Sequence, residues 1–179
     1  MSSANAPSGH GKVDSSAGSA QVDRHRITIY TVGHSNHELK SFVGLLRAHG
    51  IELVADVRSS PYSRYVPQAN RETLTRALHA AGIAYRWFGD RLGGMSGGAV
   101  ADYDLLRTSP GFRQGITDLV TLASERRIAI MCSEADHRSC HRHKLITPAL
   151  LVEDVHLLHI QSDESLVDED QEPRQLALF

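Results

Sequence analysis

The chain is poor in cysteine: its 179 residues carry two, Cys132 and Cys140. That small number excludes a disulfide-stapled secreted scaffold and predicts free thiols in a reducing compartment. No apolar run approaches the roughly 18 residues that a membrane span needs, so no membrane partner is expected. The first 20 residues, rich in Ser, Ala and Gly, lack the apolar core of a secretory signal. A cytoplasmic location is therefore expected. An excess of one charge is also missing, since 19 Lys and Arg face 21 Asp and Glu. Without the two tails, residues 27–160 carry 15 bases and 13 acids. Bulk charge therefore gives no nucleic-acid footprint. No phosphate-loop signature is present, which argues against an ATPase, and no internal repeat is evident.

What is present is an alternation of two periodicities. Five short runs rich in β-branched and apolar residues read as strands: 27–32, 51–57, 83–88, 128–132 and 155–160. Helical stripes lie between them. Leu39, Phe42, Val43 and Leu46 share one face, as do Leu74, Ala77, Leu78 and Ala81. Phe112, Ile116, Leu119, Val120 and Ala123 form a third stripe. Ser35 and Glu38 have the spacing of a capping box, Ser109-Pro110 is a helix start, and Gly50 and Gly82 are helix stops. Ser139 is expected to cap a helix over 140–151, bent near Pro148. Residues 89–98 hold five glycines and read as a loop. The prediction is one α/β domain over residues 26–160. It contains a doubly wound, mostly parallel five-stranded sheet of Rossmann-like or flavodoxin-like type. Residues 1–25 are expected to be a disordered leader and 161–179 an acidic disordered tail.

Ligands of open parallel sheets bind beyond the carboxyl ends of strands. Three predicted strands end in chemistry there: Gly33-His34-Ser35, Asp56-Val57-Arg58 and Cys132-Ser133-Glu134. A fourth group, Cys140-His141-Arg142, opens the following helix. His34 and His141 are candidate acid/base groups because imidazole changes charge near neutral pH. Asp56 either activates water or orients Arg58, and Glu134 is a candidate base. Cys132 reads as a nucleophile, a ligand or a buried structural thiol. Cys140 reads as a thiol activated in a helix first turn or as a packing residue. Arg58, Arg64 and Arg142 are candidate anion binders, because a guanidinium donates two parallel bonds to phosphate. Ser35 is grouped with them. Tyr62 beside Arg64 is placed to stack a nucleobase, and Gly93-Gly94 admits a close backbone approach. Cys132 and Arg138 have the C-x5-R spacing of cysteine phosphatases, but Glu134 and Asp136 inside that loop repel phosphate. No C-x2-C pair supports zinc, so neither a metal nor a cofactor is expected.

Together, Thr31-Val-Gly-His-Ser35, Asp56-Val-Arg-Ser-Ser-Pro61 with Arg64, Leu92-Gly-Gly94, Cys132-x-Glu134 and Cys140-His-Arg142 resemble the domain of unknown function 488 family. The resemblance implies a shared site at these motifs and names no reaction. The last five residues, Gln175-Leu176-Ala177-Leu178-Phe179, resemble the peptide by which bacterial repair and replication proteins dock on the DNA polymerase sliding clamp. That resemblance implies the clamp as partner, bound through Gln175, Leu176, Leu178 and Phe179, and a nucleoid association. The combined expectation is a DNA-associated hydrolase or base-processing enzyme acting on nucleic acid or a modified nucleotide. A non-catalytic nucleotide-binding module and a cysteine-dependent small-molecule enzyme are the alternatives.

Overall fold

A computed structural model describes residues 26–96 and 99–171. The predicted leader, Gly97-Gly98 and the clamp-like peptide lie outside these residues. In chain order the strands are β1 (Thr28–Gly33), β2 (Leu53–Asp56), β3 (Ala84–Trp87), β4 (Met95–Ser96), β5 (Ala99–Val100), β6 (Ile128–Cys132), β7 (His156–Ile160) and β8 (Leu166–Asp168). The α-helices are α1 (Leu39–Ala48), α2 (Arg71–Ala80), α3 (Gly89–Leu92), α4 (Tyr103–Thr108), α5 (Pro110–Glu125) and α6 (Thr147–Val152). All five predicted strands are present, parallel, and within a few residues of their expected limits.

The sheet has six strands in the order β3-β2-β6-β1-β7-β8, while β4 and β5 form a separate hairpin. This order positions the site. The chain leaves β1 for β2 and β3 at one edge, then returns to fill the slot between β2 and β1 with β6. The carboxyl ends of β2, β6 and β1 thereby become neighbours. The layers are those of Rossmann-like and flavodoxin-like folds. Along each strand successive side chains face opposite sides, and two cores result. Leu53, Ala55, Val57, Ile128, Ile130 and Cys132 pack with α3, α5 and α6 residues such as Leu92, Phe112, Leu119 and Leu150. Val32, Val54, Ala129 and Met131 pack with Phe42, Leu46, Leu74 and Leu78 of α1 and α2. Among the described residues, no helix is long and apolar enough to cross a membrane.

Three local expectations are corrected. The sixth strand, β8, comes from the stretch expected to be disordered from residue 161. It runs antiparallel to β7 and is followed by a 3₁₀ turn, Glu169–Gln171. Its acids have specific partners: Asp168 with His156 (3.1 Å), Glu169 with His159 (2.7 Å), and Asp170 with Arg26. The Ser35/Glu38 capping box does not form. Helix α1 begins at Leu39 with Glu38 as an N-cap that makes no side-chain cap bond. Ser35 instead takes φ +45° and extends the β1–β6 ladder, donating its N–H to Ser133 O (2.8 Å). The helix expected over 140–151 is three pieces: a 3₁₀ turn His137–Ser139, a π-helical turn Arg142–Ile146, and α6. Short π segments recur at functional sites, and this one carries Arg142.

Gly33 closes the rim of the sheet. A Cβ built there would lie 1.9 Å from the carbonyl oxygen of Glu134. Gly33→Ala should therefore displace the 133–135 loop and destabilise the fold by at least about 2 kcal/mol. Urea unfolding of the full chain measures this, and a loss below about 0.5 kcal/mol would contradict the close approach.

Candidate active site

The strand-end residues meet at one rim but divide between its two sides, as the alternation of side chains dictates. On the α1/α2 side lies a fully buried ionic cluster. Asp56 is 0% exposed and Arg58 5%. Arg58 donates Nε–H (2.9 Å), an Nη2–H (2.6 Å) and its backbone N–H (3.0 Å) to the Asp56 carboxylate. The second Nη2–H goes to Ala69 O (3.0 Å), and Nη1 reaches His34 Nε2 (3.0 Å). Tyr85 donates its hydroxyl to Asp56 (2.7 Å). Burial, then the Asp56 charge, pushes the Tyr85 phenol upward. A guanidinium only donates, so it fixes His34 as the tautomer with a bare Nε2; Nδ1–H then donates to Ser35 O (2.8 Å). Both imidazole nitrogens are thus engaged. His34 and Asp56, candidates for proton transfer, and Arg58, a candidate anion binder, stabilise the loops that follow β1 and β2. Ser35, grouped with the anion binders, contributes through its backbone.

The opposite side opens into a cleft of about 590 Å³ lined by Ser59, Ser60, Gly94, Tyr103, Cys132, Glu134, Cys140 and His141, among others. Cys132 Sγ lies 3.3 Å from His141 Nδ1 and 3.4 Å from Glu134 Oε2. Cys140 Sγ lies 3.8 Å from the same Nδ1. His141 Nε2 is 3.1 Å from Val57 O. A carbonyl only accepts, so the Nε2 proton sits there and the Nδ1 lone pair faces the thiols. Arg142 is 2% exposed and does not reach the cleft. Its backbone N–H and Nε–H both point at Cys140 Sγ (3.4 Å each). Nη1 donates to Thr31 Oγ1 (3.1 Å) and Nη2 to Glu134 O (2.6 Å). The acceptors that hold Arg142 are therefore Cys140 Sγ, Thr31 Oγ1 and Glu134 O rather than a ligand in the cleft.

The two thiols share a proton unequally. The hydrogen bond from Cys132, then His141 and Arg142, holds the Cys140 thiol well below its ordinary value against the opposing effect of burial. Cys132 is pushed well up by its bond to Cys140, by burial, and by the charges of Cys140 and Glu134. Gly94 packs on His141 and Tyr103: a Cβ there would lie 2.7 Å from His141 Cβ. Gly93 packs on Ser59, whose hydroxyl accepts from Met95 N (3.0 Å). Tyr62 and Tyr65 are exposed at 72% and 82%, with Arg64 stacked on the Tyr65 ring. They follow Ser59-Ser60 of the cleft wall directly in sequence.

Sequence reasoning missed Tyr103 and a chain leading inward from Arg142, and it named Ser59 within a motif without giving it a role. Thr31 Oγ1, which accepts from Arg142, is 2.8 Å from His159 Nδ1, and His159 Nε2 is 2.7 Å from Glu169. The available signals were Thr31 inside an apolar strand and His159 inside an apolar run. Among the described residues, two largely buried groups of side chains bring metal-ligating atoms within 4.8 Å of one another, besides the more exposed His156, Asp168 and Asp170. One is Cys132, Cys140 and His141. The other is His137, His143, His159 and Glu169, but there the rings of His137 and His159 are stacked 3.8 Å apart at 8°. Imidazole lone pairs lie in the ring plane, so parallel stacked rings do not converge on one ion. Within this second group Glu169 is hydrogen-bonded to His159 (2.7 Å) and lies 3.4 Å from His143 Nδ1.

The buried His34 supplies a test. Burial, then the Arg58 charge, lowers it from the ordinary imidazole value to about 4. The unfolded chain binds this proton below about pH 6.5 while the folded one does not. Stability from this group is therefore present above pH 6.5 and is lost as pH falls toward 4. The expected loss is on the order of 3 kcal/mol. In urea titrations at pH 7, 6, 5 and 4.5, His34→Gln should remove that slope. Equal slopes for the two proteins would contradict the neutral buried imidazole.

No curated protein and no solved structure matches the chain. One family model does, described as Domain of unknown function DUF488 and matching residues 38–147. The match takes in Asp56, Arg58, Arg64, Gly93-Gly94, Cys132, Glu134 and Cys140-His141-Arg142, and begins after Gly33-His34-Ser35. With more than half of its length matched by that model, and with the cleft's thiols, imidazole and carboxylate all inside the match, the chain belongs to the DUF488 family.

Proposed function

We propose that this protein is a DNA-associated enzyme of hydrolytic, base-processing type, acting on nucleic acid or a modified nucleotide in the Cys132/Cys140 cleft. One observation carries the proposal. A carboxylate, Glu134, stands in an open cleft within 4 Å of a thiol, and that thiol contacts an imidazole whose other nitrogen is fixed. The backbone of Glu134 is held by Arg142 and by the close approach of Gly33, while its side chain faces the cleft. A carboxylate fixed in this way accepts a proton from water as that water attacks an electrophilic carbon, then returns it to the departing base. Pre-set geometry of this kind is what general acid/base catalysis requires.

The substrate class is supported by the loop after the cleft wall. Tyr62 and Tyr65 offer exposed aromatic faces, and Arg64 adds a free cationic edge, the combination that stacks bases while holding a backbone. Because Arg58 and Arg142 are committed to internal partners, phosphate contact falls to Arg64 and the Ser59-Ser60 hydroxyls. The C-terminal Gln175-Leu176-Ala177-Leu178-Phe179 supports recruitment by the sliding clamp, with Leu176, Leu178 and Phe179 as apolar anchors for a partner groove. A second reading, a thiol enzyme on small molecules, is favoured by the two N–H groups that Arg142 directs at Cys140.

Glu134→Gln should abolish hydrolysis of a panel of modified nucleotides and base-damaged oligonucleotides while leaving binding within about twofold. Tyr62→Ala and Tyr65→Ala should each weaken oligonucleotide binding by about 1–3 kcal/mol in fluorescence anisotropy. Wild-type turnover by the Glu134 variant sinks the mechanism, and unchanged affinity of both tyrosine variants sinks the substrate class. For the partner, surface plasmon resonance should show clamp binding by the full chain and none by the chain ending at residue 174. Equal binding by the two removes the tail from the account.

A further inference from the structure

We propose that Cys132, Cys140 and His141 form a binding site for one zinc-class divalent ion whose open position faces the cleft. Glu134 stands beside that position to take the proton of a bound water; this last role rests on the hydrolytic reading above.

The geometry points there without adjustment. Tetrahedral zinc, with bonds of about 2.3 Å to sulfur and about 2.0 Å to nitrogen, sets sulfur and nitrogen ligands about 3.6 Å apart. His141 Nδ1 lies 3.3 Å from Cys132 Sγ and 3.8 Å from Cys140 Sγ, on either side of that value. The third separation, sulfur to sulfur, also falls within 4.8 Å. The partners around these three side chains are those of a metal centre. His141 gives its Nε2 proton to Val57 O, which fixes the tautomer and aims the Nδ1 lone pair at the sulfurs. The two N–H groups of Arg142 directed at Cys140 Sγ stabilise a thiolate ligand. The donor set, two thiolates and an imidazole, selects zinc over the oxygen-seeking magnesium, calcium and manganese.

Three protein ligands leave tetrahedral zinc one position, the pattern of catalytic rather than closed structural sites. All three side chains line the cleft, so water or substrate has access to that position. Glu134 Oε2 is 3.4 Å from Cys132 Sγ yet stands outside the converging group. That is the place for a proton acceptor beside a metal rather than for a ligand. The step balances simply. Water gives one proton to Glu134 and its oxygen bonds to the substrate carbon. The bond to the departing base breaks with its electron pair, and the base takes the proton from Glu134. The site is invisible to spacing rules because its ligands come from two elements, the end of β6 and the residues after a 3₁₀ turn, rather than from a C-x2-C loop.

The test uses the full chain purified without chelators. Elemental analysis should give about one zinc per chain. Cobalt(II) substituted for zinc should show sulfur-to-cobalt charge transfer in the near ultraviolet. Cys132→Ser, Cys140→Ser and His141→Gln should lose most of both signals, and Glu134→Gln should keep them. Because a cysteine variant can fail to fold, the wild-type protein supplies an independent readout: zinc added to chelator-treated protein should protect both thiols from iodoacetamide. Absence of zinc, of charge transfer and of thiol protection in folded protein overturns the site, and undiminished nucleotide hydrolysis after complete zinc removal overturns its part in hydrolysis. Stoichiometric zinc without any nucleotide hydrolysis would leave the metal site standing and overturn the substrate reading instead.

Discussion

Arg142 is the interaction on which the cleft depends. Its guanidinium is among the largest fully buried side chains, and no carboxylate among the described residues pairs with it. A buried charge left without a partner costs several kcal/mol, a large share of a domain's net stability, so acceptors or a countercharge close by are needed. The group in position is Cys140 Sγ, which receives two N–H groups of the same residue. The support runs in both directions: the Cys140 sulfur accepts two N–H groups of Arg142, and those N–H groups favour its thiolate form. A neutral packing cysteine at 140 would leave Arg142 with only Thr31 and a carbonyl. Replacing the guanidinium by a lysine ammonium would lose the fork that reaches Cys140, Thr31 and Glu134 O together.

The same fork ties the cleft to the far end of the chain. From Arg142 the bonds pass through Thr31 on β1 to His159 on β7 and on to Glu169 after β8. Each member is buried or nearly so, and each has its hydrogen-bonding capacity met by the next, the condition under which a buried polar network stabilises rather than penalises a core. The ionic cluster of Asp56, Arg58, His34 and Tyr85 does comparable work on the opposite side of the sheet. The rim therefore rests on two polar networks, one under each core. Apart from Arg58, which forms part of the cleft wall, these supporting residues do not line the cleft, and backing of that kind is what a pre-organised site requires.

Much of this was legible in the sequence, and what was not has definable causes. Strands and helices alternate visibly because hydrophobic period is a local property. Strand order is not local: nothing in 128–132 announces that it fills the slot between β1 and β2. The division of the strand-end residues was partly readable. Asp56 shares parity with Val54, while Val57 shares it with Ala55, so the two sets face opposite layers. A guanidinium two residues from a carboxylate reads equally as an anion binder and as the partner of that carboxylate, and only burial decides. Ser35 had capping-box spacing, but the ladder from β1 to β6 claimed its backbone first. The acids after residue 161 match the composition of a disordered tail. Their order comes from His156 and His159, brought opposite them by the β7–β8 pairing, and from Arg26, 144 residues away in the chain.

That folded segment changes the physics of the proposed clamp tether. A tail free from residue 161 gives the terminal peptide a reach of some 50 Å at full extension. With Glu169–Gln171 held against β7 by Arg26 and His159, four residue steps separate Gln171 from Gln175, about 15 Å at most. A short tether raises the effective concentration of the domain beside its anchor and narrows the directions it samples. Recruitment through such a tail would hold the cleft within a few nanometres of the duplex emerging from the clamp. It would also make Glu169 common to two functions, since the carboxylate that closes the Arg142 network sits at the root of the tether. A pull on the tail would meet the Gln171–Asp168 and Asp170–Arg26 bonds first and then the His159–Glu169 bond, the outermost link of the Arg142 network.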